Sequence, residues 1–181
     1  MSLVFLLGGA RSGKSKLAVE LAAAWCSEVA FVATGEALDD EMAERIARHR
    51  ANRPSHWETL EEPVEVASAL GRVPDHAGAV IDCLTLWVSN LMNKGLDDDE
   101  IEGRASALAS AAGARPALTV VVSNEVGAGI VPGHPEARRF RDLLGRVNCI
   151  FTEAADRSVL VVAGRALTLD DPRLILGGPD G

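Results

Sequence analysis

The sequence predicts a single α/β domain, a mainly parallel sheet with helices on both faces, and three observations carry that expectation. Short runs that are apolar almost throughout (LVFLL, EVAFVA, AVID, LTVVVS and VLVVA) alternate with helix-patterned stretches. Strands with no polar face belong in a sheet covered on both sides. The first run opens directly into a glycine-rich loop, GGARSGKS, and then into the helix pattern KLAVELAAAW. At 181 residues the chain suits one domain, 1–181, able to bury about 70% of its unfolded surface.

Taken in order, Leu3 to Leu7 is the first strand and Lys14 to Cys26 the first helix. Glu28 to Ala33 is a second short strand. From about Asp39 a helix pattern begins, acidic in its first turn, and Pro54 ends it. A polar loop and a helix-like Val64 to Leu70 lead to the strand Ala79 to Asp82 and the apolar stretch Leu84 to Met92. Asn93 to Gly103, rich in Asp and Gly, reads as a loop. Helical stretches at Ile101 to Ala112 and Pro135 to Asp156 flank the strand Leu118 to Ser123, and Val159 to Ala163 is the last strand. Beyond it, Pro172, Gly177, Gly178, Pro179 and Gly181 suggest a tail from about 165 that frays.

Gly8 to Ser15 match G-x-x-x-x-G-K-[ST] between a strand and a helix. The two outer glycines permit backbone angles that turn successive N–H groups inward, and the helix offers its positive end to an anion. Lys14 would reach the outer phosphates and Ser15 would place its hydroxyl on a magnesium ion. This makes the domain P-loop NTPase-type. Asp82, closing an apolar strand, is the best acidic partner for that site, the alternative being a strand-end Asp that caps a turn. Ser123-Asn124-Glu125 also brings polar groups to a strand's carboxyl end; Glu125 either contacts metal, water or substrate, or satisfies backbone groups beside Gly127 and Gly129. Asn124-Glu125 does not match Asn-Lys-x-Asp, the guanine-reading signature of regulatory GTPases, which weakens a switch reading.

Charge excludes several classes. A net charge of −8 argues against a general nucleic-acid or membrane-surface binder, so anionic ligands must be met by local positive features. No stretch approaches the roughly 18 apolar residues of a membrane span. The start has no basic n-region and reads as a strand, not a signal peptide, and the cytoplasm is the default compartment. Cys26, Cys83 and Cys149 are far apart and never in a C-x-x-C pair, which suggests reduced thiols and neither a disulfide framework nor a zinc site.

The segment LDDEMAERIARHRANRPSHWETLEEP, Leu38 to Pro63, is the most unusual. On a helical wheel Leu38, Met42, Ile46 and His49 share one face. His49 is then either a core histidine with one hydrogen bond or a reactive one. Arg45, Arg48, Arg50 and Arg53 surround it, a concentration of donors suited to phosphate in an acidic chain. A nucleophilic imidazole needs an orienting group on its second nitrogen, and Glu61 and Glu62 are within sequence reach. His56 beside Trp57 looks like packing, and His76 and His134 lie in Pro- and Gly-containing loops.

These motifs, with DCLTLWVSNL, VVSNEVGAGIVPGHPEARRFRDLLGRVN and AADRSVLVVAG, resemble the bifunctional adenosylcobinamide kinase / adenosylcobinamide-phosphate guanylyltransferase family of cobalamin biosynthesis, in order from about Leu3 to Gly164. The resemblance implies a two-step enzyme. It would phosphorylate the aminopropanol hydroxyl of adenosylcobinamide with a nucleoside triphosphate, ATP or GTP, and then transfer GMP from GTP through a guanylylated histidine. By position that histidine is His49. Gly8, Gly9, Ala10, Arg11, Ser12, Gly13, Lys14 and Ser15 would hold the triphosphate. Thr34, Gly35 and Glu36, then Arg50, Ala51, Asn52 and Arg53, would line the nucleotide site with Glu61 and Asp82; Ser15 and Asp82 would serve Mg2+, the alternative for Asp82 being guanine. The resemblance also implies a homo-oligomer, a trimer, and adenosylcobinamide and its phosphate as partners. One triphosphate site serving two reactions further implies that Thr34 to Pro54 moves. The chain departs from the pattern at Gly133-His134-Pro135, a change that would fall in a corrinoid-facing loop, and in the tail Arg165 to Gly181.

Overall fold

The computed structural model describes residues 2–37, 39–51 and 53–173. Seven strands form one sheet in the order β3-β2-β4-β5-β1-β6-β7. They are β1 (Leu3–Leu7), β2 (Val29–Ala33), β3 (Glu58–Glu61), β4 (Gly78–Asp82), β5 (Thr119–Val122), β6 (Arg157–Val162) and β7 (Arg165–Leu169). The pairs among β1 to β6 are all parallel, and only β7 runs antiparallel, at the edge against β6. The helices are α1 (Lys14–Trp25), α2 (Asp40–Ala51), α3 (Val66–Gly71), α4 (Leu84–Asn93), α5 (Asp98–Gly113) and α6 (Pro135–Ala154).

The period-two geometry of a strand sorts β1 between two cores. Leu3, Phe5 and Leu7 face a large cluster with α3, α4, α5 and α6, and Phe5 stacks on Phe151 of α6 at 5.8 Å. Val4 and Leu6 face a smaller cluster with Ala18 and Ala22 of α1, Phe31 and Trp57. Each fully buried large apolar side chain contributes roughly 1.5–3 kcal/mol, so the four-helix side dominates stability. No described residue of α2 belongs to either cluster.

Three expectations are corrected. Arg165–Leu169 does not fray: Ala163 and Gly164, with φ of 50° and 72°, make a tight turn and β7 zips back onto β6. Residues 174–181 lie outside the described residues. The loop expected at Asn93 to Gly103 ends at Asp97, whose carboxylate accepts from the Glu100 amide (2.9 Å) while the Glu100 side chain accepts from the Asp97 amide (2.9 Å). That capping box, in an acidic first turn, starts α5 at Asp98. Polar Glu58–Glu61, read as loop, is the edge strand β3.

Candidate functional site

Because β1 to β6 run parallel, the segments after all of them leave the sheet at one edge. The loop after β1 is held open by backbone geometry. At Gly8 a Cβ would lie 2.2 Å from the Val161 carbonyl oxygen of β6, and Gly13 has φ of 102°. Gly13 is also the N-cap of α1, which has no side-chain cap and no acidic residue in its first turn. The first amides and the positive helix end are thus left for an external anion. The hairpin after β6 closes the loop from below, its Gly164 amide donating to the Ser12 carbonyl at 2.9 Å. Gly9, Ala10 and Arg11 are exposed, Ser15 is half-buried, and the buried Ser12 hydroxyl has no partner among the described residues.

Lys14 is buried and its ammonium donates to the Gly9 carbonyl (2.8 Å) and to Asn124 Oδ1 (2.6 Å). Asn124 is held in turn by Thr85 at the start of α4, whose hydroxyl accepts from the Asn124 amide (2.9 Å) and Nδ2 (3.0 Å). Asn148 of α6 donates to the Asn124 carbonyl (3.1 Å) and accepts from the buried Ser123 hydroxyl (2.6 Å). Sequence reasoning missed Asn124 as a partner of Lys14 and Thr85 as the residue that holds Asn124. The strand-end polar cluster was the signal for Asn124. Glu125 takes the second of its two roles: its carboxylate accepts from the Gly127 and Ala128 amides.

The second half of the site is built around α2. A Cβ on Gly35 would approach Leu86 of α4 at 3.3 Å and Ile46 of α2 at 3.6 Å, so this bare stretch of backbone is where α2 seats. Met42, Ile46 and His49 are each half-buried; Leu38 and Asn52 lie outside the described residues. His49 sits in the last turn of α2 between Arg48 and Arg50, and its ring makes no hydrogen bond among the described residues. Arg50 pairs with Glu61 at the end of β3. Glu62, the other orienting candidate, instead accepts from the Val64 (3.0 Å) and Glu65 (2.9 Å) amides, closing the turn before α3.

Arg53 lays its guanidinium on the buried Phe31 ring, 3.4 Å from the centroid, with Nε buried and unpartnered among the described residues. Burial pulls its pKa down, opposed first by the charge of Asp82, while Arg50 lowers it further and Glu61 raises it. Arg50, Arg53, Glu61 and Asp82 therefore share one field at the ends of β2, β3 and β4. Thr34 does not face that space. It is fully buried, and its hydroxyl accepts from the Cys83 amide and donates to the Cys83 carbonyl, both at 2.8 Å. Its value is in tying the end of β2 to β4. Glu36 and Ala51 are exposed. Trp57 packs, but His56 is exposed; His76 pairs with Glu28 (3.0 Å) and His134 is the exposed N-cap of α6.

Among the described residues no three His, Cys, Asp or Glu side chains converge to cage a metal. Mg2+ takes one or two protein oxygens and completes its shell with phosphate and water. Ser15 and Asp82, both half-buried at the same edge, are oxygen donors of that kind.

A glycine loop feeding an uncapped helix at the carboxyl edge of a parallel sheet defines a nucleotide-binding P-loop protein. The fold is similar to that of a type III secretion system ATPase of pathogenic bacteria, at a TM-score of 0.59 and 12% identity, over 92% of this chain and 56% of that one. Residues 4–169 match the model of the cobinamide kinase / cobinamide phosphate guanyltransferase family, and the chain belongs to that family. It is 45% identical over 168 residues to the bifunctional adenosylcobalamin biosynthesis protein CobP of Pseudomonas aeruginosa, covering 91% of this chain and 95% of that protein. It is 40% identical over 176 residues to CobU of Salmonella typhimurium, at 90% and 96% coverage. Among the described residues no helix is long and apolar enough to cross a membrane.

Proposed function

We propose that this chain performs both family reactions at the one carboxyl edge, with His49 as a covalent carrier of GMP. The observation that carries the reading is the seat of α2 at Gly35 together with the pairing of Arg50, the neighbour of His49 in the chain, with Glu61, in the same field as Arg53 and Asp82.

In the first reaction the aminopropanol oxygen attacks the γ-phosphorus of ATP or GTP, its proton is lost, and the nucleoside diphosphate leaves. Lys14 and the inward amides of Gly8 to Ser15 meet the charge on the transferring group. In the second, a ring nitrogen of His49 attacks the α-phosphorus of GTP; a P–N bond forms and pyrophosphate leaves. A phosphate oxygen of adenosylcobinamide phosphate then attacks that phosphorus, breaking the P–N bond and forming the diphosphate. Arg50 and Arg53 answer the α-phosphate charge. Mg2+ held by Ser15 and Asp82 would neutralise triphosphate oxygens in both reactions.

Two phosphorus atoms of similarly bound nucleotide must be reached, so the Thr34 to Pro54 segment moves between reactions. The half-burial of Met42, Ile46 and His49, with no described residue of α2 in either core cluster, supports this, since a lightly buried helix is cheap to displace. The working form is a cytoplasmic homo-oligomer, a trimer. The test is incubation with Mg2+ and GTP labelled at the α- or γ-phosphate, followed by denaturation. Acid-labile, alkali-stable α-label that stays on the chain and is lost in His49→Ala is the expected result. Bound nucleotide with no retained label would leave a plain P-loop kinase.

A further inference from the structure

We propose that the cavity between the loop after β5 and the middle of α6 seats the corrin ring of the acceptor, an inference that rests on the functional reading above. The cavity holds about 670 Å3, within the range of small-molecule sites, and has Gly127, Gly129 and Val131 on one wall and Gly145 and Cys149 of α6 on the other. The loop is built rather than slack. Glu125 caps its start through the Gly127 and Ala128 amides, and Arg138 holds its end through the Pro132 (3.0 Å) and Gly133 (2.6 Å) carbonyls. Yet this tied loop leaves Ile130 97% and Val131 60% exposed.

Gly145 lies inside a 20-residue helix, where glycine costs about 0.5–1 kcal/mol relative to alanine. A Cβ there meets nothing within 4 Å, so no packing among the described residues requires the glycine. What its bare backbone provides is depth in the cavity. The charges around the cavity narrow the occupant. Arg146 already meets Asp98 (2.6 Å) and Glu102 (2.5 Å), and Arg141 meets Asp142 (2.8 Å). Both guanidiniums that line the cavity are matched by carboxylates, so it offers no surplus positive charge for a phosphate. Such a lining suits an amphipathic ligand without an anionic group, with a broad apolar face and carboxamide edges, whose carbonyls and N–H groups take the remaining donor and acceptor positions. A corrin ring with amide arms has that chemistry. The location also serves the reaction, because the Glu125 amide donates to the Gly8 carbonyl at 3.1 Å; the loop thus starts against the P-loop, towards which the aminopropanol arm must point.

The test is equilibrium binding of cobinamide without nucleotide, followed through the corrin absorption, to the whole chain and to Gly145→Leu. The variant is expected to melt at or above the wild-type temperature and to keep GTP-dependent labelling of His49, a half-reaction that needs no corrinoid. Its cobinamide affinity is expected to fall at least about tenfold. Ile130→Asp, at a position without packing to lose, carries the same expectation if Gly145→Leu does not fold. Unchanged affinity in the folded variant overturns the proposal, as does a change of oligomeric state in sedimentation, which would assign the face to a second copy of the chain. A wild-type protein that binds no corrinoid at all would instead bring down the functional reading itself.

Discussion

The P-loop and α2, the two halves of the candidate site, are built in opposite ways. The P-loop is enclosed: β6 fits against Gly8, the hairpin turn bonds Ser12, and Lys14 is pinned through Asn124 and Thr85 to α4. α2 rests by Gly35 through a half-buried face, and none of its described residues joins either core cluster. The contrast suits the work assigned to each half: a triphosphate cradle gains from fixed donors, whereas a group that visits a second phosphorus atom must be cheap to move.

The widest break in the comparison comes from the enclosed half. Gly8→Ala forces a Cβ to within 2.2 Å of the Val161 carbonyl, so it should cost roughly 1–3 kcal/mol in denaturant titration and abolish both transfers. Asn124→Ala removes the side-chain acceptor of Lys14 at a stability cost of about 0.5–1.5 kcal/mol; steady-state kinetics should show both reactions slowed, since both use the cradle. Arg50→Ala should sharpen the difference from the other side. Its pair with Glu61 is about 60% exposed at both ends, so the melting curve should move by less than about 1 kcal/mol, while GMP transfer slows and γ-phosphoryl transfer does not.

The smallest effect concerns Cys83, between the two halves. Burial first, and then the Asp82 charge, push its thiol from 9.0 up to about 11. The folded state therefore favours the neutral thiol, and the stability this gives is complete below pH 9 and lost as pH rises towards 11. Denaturant midpoints should decline over that window, less so in Cys83→Ala. Near pH 8 an alkylating reagent should modify exposed Cys149 and spare Cys83.

The same contrast governs what was legible in the sequence. The P-loop and the apolar strands are local patterns, and they lie where expected. β3 was missed because an edge strand with pattern ETLE carries no apolar alternation, and β7 because a Pro- and Gly-rich tail hid a hairpin whose turn is Ala163-Gly164. In the site, His49 was singled out by its arginines and by resemblance. The partner of Lys14 lies 110 residues away, and the burial of Thr34 depends on a bond to Cys83 49 residues on. No local spacing encodes such pairs; only the parallel sheet brings them together.

The central claim, that the two halves do separable chemistry, is tested most directly by assaying His49→Ala for both transfers with cobinamide and its phosphate as acceptors. The account predicts that γ-phosphoryl transfer to cobinamide persists near the wild-type rate while GMP transfer falls by at least about a thousandfold. Loss of both to the same extent, in a variant that still binds nucleotide, would contradict it.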